Sequence, residues 1–314
     1  MDAQPPNAEV KDRAGNAFSL VPWKCPICGP GPTKTLGLRG GSHHRHGLGI
    51  ESTIVQCVRC KLIFPDPFPI PKSPQALYGD PDKYFVLHDL DQKIGWNRSL
   101  VRTAIERAER GTAARLLDVG SGRGEMLRAA EIEGLSSMVG LEFSQAMIDF
   151  TAKEFGLEVK KQSIEDHAKE HAGVYDIVIM NAVLEHVYDP ASMITAVATL
   201  LSPRGVLYID IPNEPNLLTI IGNAVNRVRK RPGVLNLSPS WPPFHVYGFN
   251  PASLSLLLER NGIRVEEVRK FAEPRVTTDQ SLRGRAVAFG GTQLMRLANL
   301  TQTASNMFVW ARRQ

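Results

Sequence analysis

The chain has 314 residues, 43% of them hydrophobic, with four cysteines and a formal net charge of +5. That length accommodates one large α/β domain and a smaller appendage, and no apolar run approaches the roughly 20 residues that cross a bilayer. The charge is uneven: residues 1–61 hold eight Lys/Arg against four Asp/Glu, residues 216–231 four against none and residues 281–314 five against none, so the remainder is acidic.

Asp2, Glu9 and two prolines occupy the first ten positions in place of a basic-then-apolar leader, and residues 1–20 are expected to be a disordered start of a cytoplasmic protein. Cys25-Pro26-Ile27-Cys28 and Cys57-Val58-Arg59-Cys60 are two C-x-x-C knuckles, each followed by a residue that allows a tight turn or a short strand. Four thiolates in two such pairs can close a tetrahedral site around structural zinc, a better match to a reducing compartment than a disulfide framework. Cys25, Cys28, Cys57 and Cys60 are therefore the expected zinc ligands of a ribbon module over residues 21–70. His43, His44 and His46, in a Gly-rich loop between the knuckles, are not needed as ligands. Five prolines between Phe64 and Pro74 predict a stiff extended linker. An aromatic turn over Tyr78 to Phe85 and an amphipathic helix from about Asp91 to Arg110 follow, opening a domain expected to span 71–314.

Leu116-Leu117-Asp118-Val119-Gly120-Ser121-Gly122-Arg123-Gly124 runs from an apolar strand into a glycine turn and then a helix. Glycines remove Cβ atoms where backbone must approach a ligand at a helix N-terminus. Glu125 stands where a dinucleotide fingerprint wants its last glycine or alanine, which argues against a nicotinamide or flavin cofactor. Downstream, strands at Met138 to Leu141, Leu157 to Lys160, Tyr175 to Met180 and Gly205 to Ile211 alternate with helices, including one capped by Ser144 and one opened by Asp189-Pro190. The alternation predicts a parallel sheet covered on both faces, with ligands at the carboxyl ends of its strands. Glu142 ends the second strand, where a carboxylate can accept from both ribose hydroxyls. Ile164 follows the third strand and could bracket an adenine, and Asn181 to His186 follow the fourth.

The glycine turn, Glu142 and Asn181-Ala182-Val183-Leu184-Glu185-His186-Val187 together resemble the motifs of class I S-adenosylmethionine-dependent methyltransferases, in particular the ubiquinone-biosynthesis-like and sugar-methyltransferase-like branch. The resemblance implies a Rossmann-like seven-stranded sheet whose last strand, at Met307 to Ala311, is antiparallel, with helices on both faces and the zinc ribbon beside it. It also implies that Gly120, Ser121 and Gly122 line the methionine end of S-adenosylmethionine, Asp118 orients the turn, Glu142 holds the ribose, Phe143 and Ile164 flank the adenine and Asn181 lies near the sulfonium. Ser163 stands where many relatives have aspartate. Ala182 stands where metal-assisted relatives carry a further glutamate, so no catalytic metal is expected.

Insertions at 214–245 and 275–304 carry apolar stripes: Leu217, Leu218, Ile221, Ala224, Val225 and Val228 in the first, Leu294, Leu297, Ala298 and Leu300 in the second. Residues 216–231 and 281–304 within them carry no Asp or Glu, which fits a substrate lid or a dimer face, or a membrane surface or lipid-linked acceptor. His186 and His245 are the candidate bases for the acceptor. The expected activity is O- or C-methylation of a small molecule or a sugar- or lipid-linked intermediate. Rival readings are an RNA methyltransferase gripping phosphates through its ribbon and a non-catalytic zinc-ribbon interaction protein. Sparse aromatics in the basic stretches and the absence of a base-amino motif weigh against nucleic acid.

Overall fold

The computed structural model describes residues 9–13, 15–44, 46–72, 89–238, 244–272 and 281–314. The expected aromatic turn at 78–85 and the start of the second insertion, 275–280, lie outside the described residues. Short strands β1 (Glu9–Lys11) and β2 (Ala17–Val21) form a three-stranded sheet with β6 (Phe68–Pro71). This corrects two expectations. The segment to residue 20 is ordered from Glu9, because β2 alternates its side chains and buries Phe18 and Leu20. The proline-rich stretch is also not a linker. Its prolines occupy β5 (Ile63–Pro65) and β6 while Phe64 and Phe68 are buried, an edge-strand use of proline that dispenses with the missing donor. β5 completes a second small sheet with β3 (Thr33–Arg39) and β4 (Ser52–Cys57), which carries the cysteine knuckles at its ends.

After α1 (Leu90–Ala108), the alternation is as expected: β7 (Arg115–Val119), α2 (Glu125–Ile132), β8 (Ser137–Leu141), α3 (Gln145–Phe155), β9 (Val159–Lys160), α4 (Ile164–Glu170), β10 (Tyr175–Asn181), α5 (Pro190–Leu200) and β11 (Leu201–Pro212). Then come α6 (Leu217–Val228), α7 (Pro251–Glu259), β12 (Ile263–Phe271), α8 (Leu282–Leu300) and β13 (Asn306–Arg313). The large sheet has the order β12-β13-β11-β10-β7-β8-β9, and its last strand is antiparallel. β7 sits between β10 and β8, paired parallel to both. Such strands are buried on both faces, which is why Leu116, Leu117, Ile177, Val178, Ile179 and Met180 form continuous fully buried runs. Each contributes on the order of 1.5–3 kcal/mol by leaving water.

The chain divides into two compact units. One comprises Tyr78–Asp210, Ser255–Glu267 and Val309–Gln314; the other comprises Met1–Leu77, Ile211–Leu254 and Val268–Phe308. The second unit joins the cysteine module to the first insertion through a common core. Ile54, Ile63 and Leu237 are buried together with Leu36 and Val234 packed against them. Backbone bonds run from Leu38 N to Pro232 O at 2.9 Å and from Val234 N to Leu38 O at 2.8 Å. Trp23 stacks on Phe68 at 4.6 Å and donates its indole N–H to the Tyr247 hydroxyl at 2.9 Å. Inside this core, Glu214 Oε2 accepts from Asn236 Nδ2 at 2.6 Å and Oε1 from Leu237 N at 3.1 Å, while Arg39 Nη1 donates to Leu237 O at 2.6 Å. Burial pushes the Glu214 carboxyl up to about 7.

Candidate active site

The carboxyl ends of β7, β8 and β10 are adjacent, and the sequence places its cofactor motif on all three. Gly120, Gly122 and Gly124 have φ of 73°, 53° and 79°, so the chain turns sharply out of β7 before α2. A Cβ on Gly120 would lie 2.6 Å from Val183 Cγ2; the segment after β10 therefore requires this glycine. The Gly120 and Ser121 amides both donate to Leu141 O, at 2.8 and 3.0 Å. Ser121 is buried against Gly140, and its hydroxyl has no hydrogen-bond partner among the described residues. Glu125 opens α2 and is buried, with Arg123 Nη2 at 2.9 Å and Lys93 Nζ at 3.8 Å. The departure from the dinucleotide fingerprint is thus an ion-paired acid at the helix start, where the macrodipole favours negative charge.

Glu142 is the hinge of the seat. Its Oε2 accepts from Gly122 N at 3.0 Å, and Oε1 accepts from Phe143 N at 2.8 Å and Ser144 N at 2.9 Å. Ser144 is the N-cap of α3 but makes no side-chain capping bond, so the carboxylate beside it performs that task. These three N–H bonds occupy three of the carboxylate's roughly four lone-pair sites, leaving one on Oε2. Phe143 projects beside it, 56% exposed. Ile164 is buried at the first turn of α4, behind Ser163, whose hydroxyl accepts from Asp166 N at 3.0 Å. That serine is the N-cap of α4. Asp118 is buried at the end of β7; burial, with the nearby Glu125 and Glu142 charges, pushes its carboxyl up to about 8.

Beyond β10, Asn181 is exposed at the sheet edge and pairs in register with Asp210 of β11. Ala182, at φ 54°, donates its amide to Asp210 O at 2.8 Å, a left-handed bend unusual for a residue with a Cβ. It turns the chain so that Glu185 is driven inward. Glu185 is buried, its Oε2 has no partner among the described residues, and burial pushes its carboxyl up to about 8, with Asp210 adding to the rise. His186 Nε2 lies 3.8 Å from Glu185 Oε1. Tyr208 and Asp210, with Tyr208 Oη 3.4 Å from Asp210 Oδ2, belong to this edge and were not singled out from the sequence. An acid at the carboxyl end of the apolar run Val206 to Ile211 was the available signal. His245 lies in the other unit, where its carbonyl accepts from Arg39 Nη1 at 2.9 Å.

The four cysteines do converge: their sulfur atoms all lie within 4.8 Å of one another, with Cys25 Sγ and Cys60 Sγ at 3.5 Å. Thiolates around tetrahedral zinc at about 2.3 Å stand roughly 3.8 Å apart, so the donor set fits. Gly29 and Lys61, directly after the knuckles, have φ of 70° and 66°, the tight turns expected there. Crowding of the sulfurs pulls Cys25 down to about 5, chiefly through the Cys60 contact, and pushes Cys60 upward.

A family model described as a methyltransferase domain matches residues 87–268. The chain is 33% identical over 169 residues to a ubiquinone biosynthesis O-methyltransferase of Marinobacter nauticus, covering 49% of this chain and 65% of that one. It is 36% identical over 114 residues to that of Cronobacter sakazakii, covering 35% and 46%. The chain therefore spans under two thirds of these relatives' lengths. Among solved structures, a methyltransferase of Haloferax volcanii in complex with a methyltransferase activator matches with a TM-score of 0.50 at 15% identity, over 75% of this chain and 96% of that one. With the glycine turn, Glu142 and the Asn181–His186 segment on adjacent strand ends, the chain belongs to the class I S-adenosylmethionine-dependent methyltransferases.

Proposed function

We propose that this enzyme O-methylates a hydroxyl of a small molecule, free or as part of a sugar- or lipid-linked biosynthetic intermediate, and that a zinc ion held by Cys25, Cys28, Cys57 and Cys60 stabilises its N-terminal module. The methyl donor supplies an electrophilic methyl group on a sulfonium; alignment of acceptor and methyl is the main source of acceleration, worth roughly 7–11 kcal/mol in favourable cases. Gly120, Ser121 and Gly122 seat the amino-acid end, Glu142 binds the ribose, Phe143 and the Ile164 segment flank the adenine, and Asn181 faces the sulfonium side.

The observation that carries the O-methylation reading is the pair at the end of β10, an imidazole 3.8 Å from a carboxyl that burial keeps protonated near neutral pH. On this reading His186 takes the acceptor's hydroxyl proton, with the buried Glu185 carboxyl 3.8 Å from its Nε2. That these relatives are O-methyltransferases supports oxygen over carbon as the nucleophile. His245 is the second candidate base. Four cysteines gathered as thiols support a reducing, cytosolic setting; among the described residues no helix is long and apolar enough to cross a membrane.

Calorimetry with S-adenosylmethionine, followed by radiolabel transfer to a panel of hydroxylated aromatic and sugar acceptors, tests the reading. His186→Ala should lower kcat about 10²–10⁴-fold with donor affinity unchanged. Full turnover by that variant, together with a large loss in His245→Ala, would move the base to His245. Failure of the wild type to bind the donor at millimolar concentration would end the enzymatic reading.

A further inference from the structure

α6 is amphipathic with its sides reversed. At 3.6 residues per turn, Leu217, Ile220, Ile221, Ala224, Val225 and Val228 share one arc and Thr219, Gly222, Asn223 and Asn226 the opposite one. The polar arc faces the protein. Asn223 donates from Nδ2 to Asn236 Oδ1 at 2.8 Å and accepts at Oδ1 from Leu235 N at 2.8 Å, and Asn226 Nδ2 donates to Gly233 O at 2.8 Å. Thr219 is buried in a capping box with Asn216. Gly222 permits the approach of the returning chain, since a Cβ there would lie 2.0 Å from Leu235 Cδ1. The apolar arc faces outward: Ile220, Ile221, Val225 and Val228 are 44%, 43%, 41% and 83% exposed. The stripe expected from the sequence included Leu218, which packs instead against the buried Ala272, Met295 and Ala304, and lacked Ile220; the rest of it has no cover among the described residues.

Two facts identify its occupant. The helix ends in Arg227, Arg229, Lys230 and Arg231, all exposed, and residues 215–258 contain no Asp or Glu. A second copy of this chain docking the same face would therefore meet like charges with no carboxylate to pair them. A surface combining anionic groups with an apolar boundary complements both the stripe and its basic end: cationic side chains lie among headgroups while the apolar face enters the acyl boundary. Exposed apolar patches bordered by charge mark interaction sites.

We propose that α6 docks this protein on an anionic lipid bilayer surface, with Ile220, Ile221, Val225 and Val228 inserted and Arg227, Arg229, Lys230 and Arg231 against the headgroup phosphates. The proposal does not depend on the methyl-transfer reading. Co-sedimentation of the full chain with vesicles of phosphatidylcholine alone, and of phosphatidylcholine mixed with phosphatidylglycerol, should show partition into the mixed vesicles that weakens with added salt. Arg229→Ser, Lys230→Ser and Arg231→Ser together should reduce partition about 100-fold, at about fivefold per charge, and Val225→Asp with Val228→Asp should abolish it. Both variants should retain wild-type melting and donor binding, because the substituted side chains are exposed. The proposal is overturned if the wild type ignores mixed vesicles, if it binds neutral and mixed vesicles equally, or if Val225→Asp with Val228→Asp sediments as the wild type does. It also fails if that double variant only converts a dimer, seen by light scattering, to monomer while vesicle binding is absent from both proteins.

Discussion

Glu142 Oε2 accepts the Gly122 amide at 3.0 Å. One side chain just beyond β8 thereby fixes the apex of the turn that leaves β7, while its other oxygen caps α3 through Phe143 N and Ser144 N. The residue proposed above to bind the ribose also holds the glycine turn proposed to seat the methionine end, so under that proposal one carboxylate couples the two.

Replacing that carboxylate should therefore cost more than one ribose contact. Glu142→Ala is expected to weaken S-adenosylmethionine binding by at least about tenfold to a hundredfold, the loss of hydrogen bonds to a charged group at roughly 1.5–3 kcal/mol. Glu142→Gln, which keeps an acceptor for one amide, should lie between. Calorimetric Kd values for the three proteins check the order, and equal affinities would remove Glu142 from the seat.

Gly120→Ala should destabilise the protein by about 1–3 kcal/mol, because its Cβ would stand 2.6 Å from Val183 Cγ2 at a φ of 73°. Adding Val183→Ala relieves the collision but not the backbone conformation. In a denaturant double-mutant cycle the pair should therefore cost less than the sum of the two single changes; strict additivity would show that the two residues do not press on one another.

Glu185 gives a pH prediction of definite sign. Its folded carboxyl titrates near 8, against 4.5 for the ordinary value, so the folded state holds a proton that the unfolded state has released. That contribution is fully present below about 4.5 and is lost as pH rises through about 8. Glu185→Gln carries no such charge. Its stability relative to wild type should rise by on the order of 1–3 kcal/mol between pH 5 and pH 8, measured by urea unfolding at both pH values. A constant difference across that range would mean that Glu185 is solvated.

Elemental analysis should find one zinc per chain, and Cys57→Ser should lose it. Because the cysteine module shares its core with Val234 and Leu237 and pairs with Gly233 and Gly248, the loss should not stay local: melting should fall by more than about 5 °C. A zinc-free wild type with unaltered melting after chelation would leave the four sulfurs as a packed thiol cluster.

By itself the sequence determined what depends on short-range pattern. Buried apolar runs alternating with capped helices specified the order of β7 to β11, and Asp189-Pro190 and Ser144 marked the helix starts at their observed positions. The knuckle spacing specified a four-sulfur cluster, because the turns after Cys28 and Cys60 are local. The tertiary structure alone decided the features set by partners far along the chain. Phe64 and Phe68 became core residues of strands since β4 and β2 were there to pair with them. Glu185 became a buried acid because the left-handed bend at Ala182 directs the chain inward. The stripe on α6 was legible as a stripe, but its direction was not. Periodicity fixes which residues share a face, and only the asparagine contacts to residues 233–236 decide which face meets the protein.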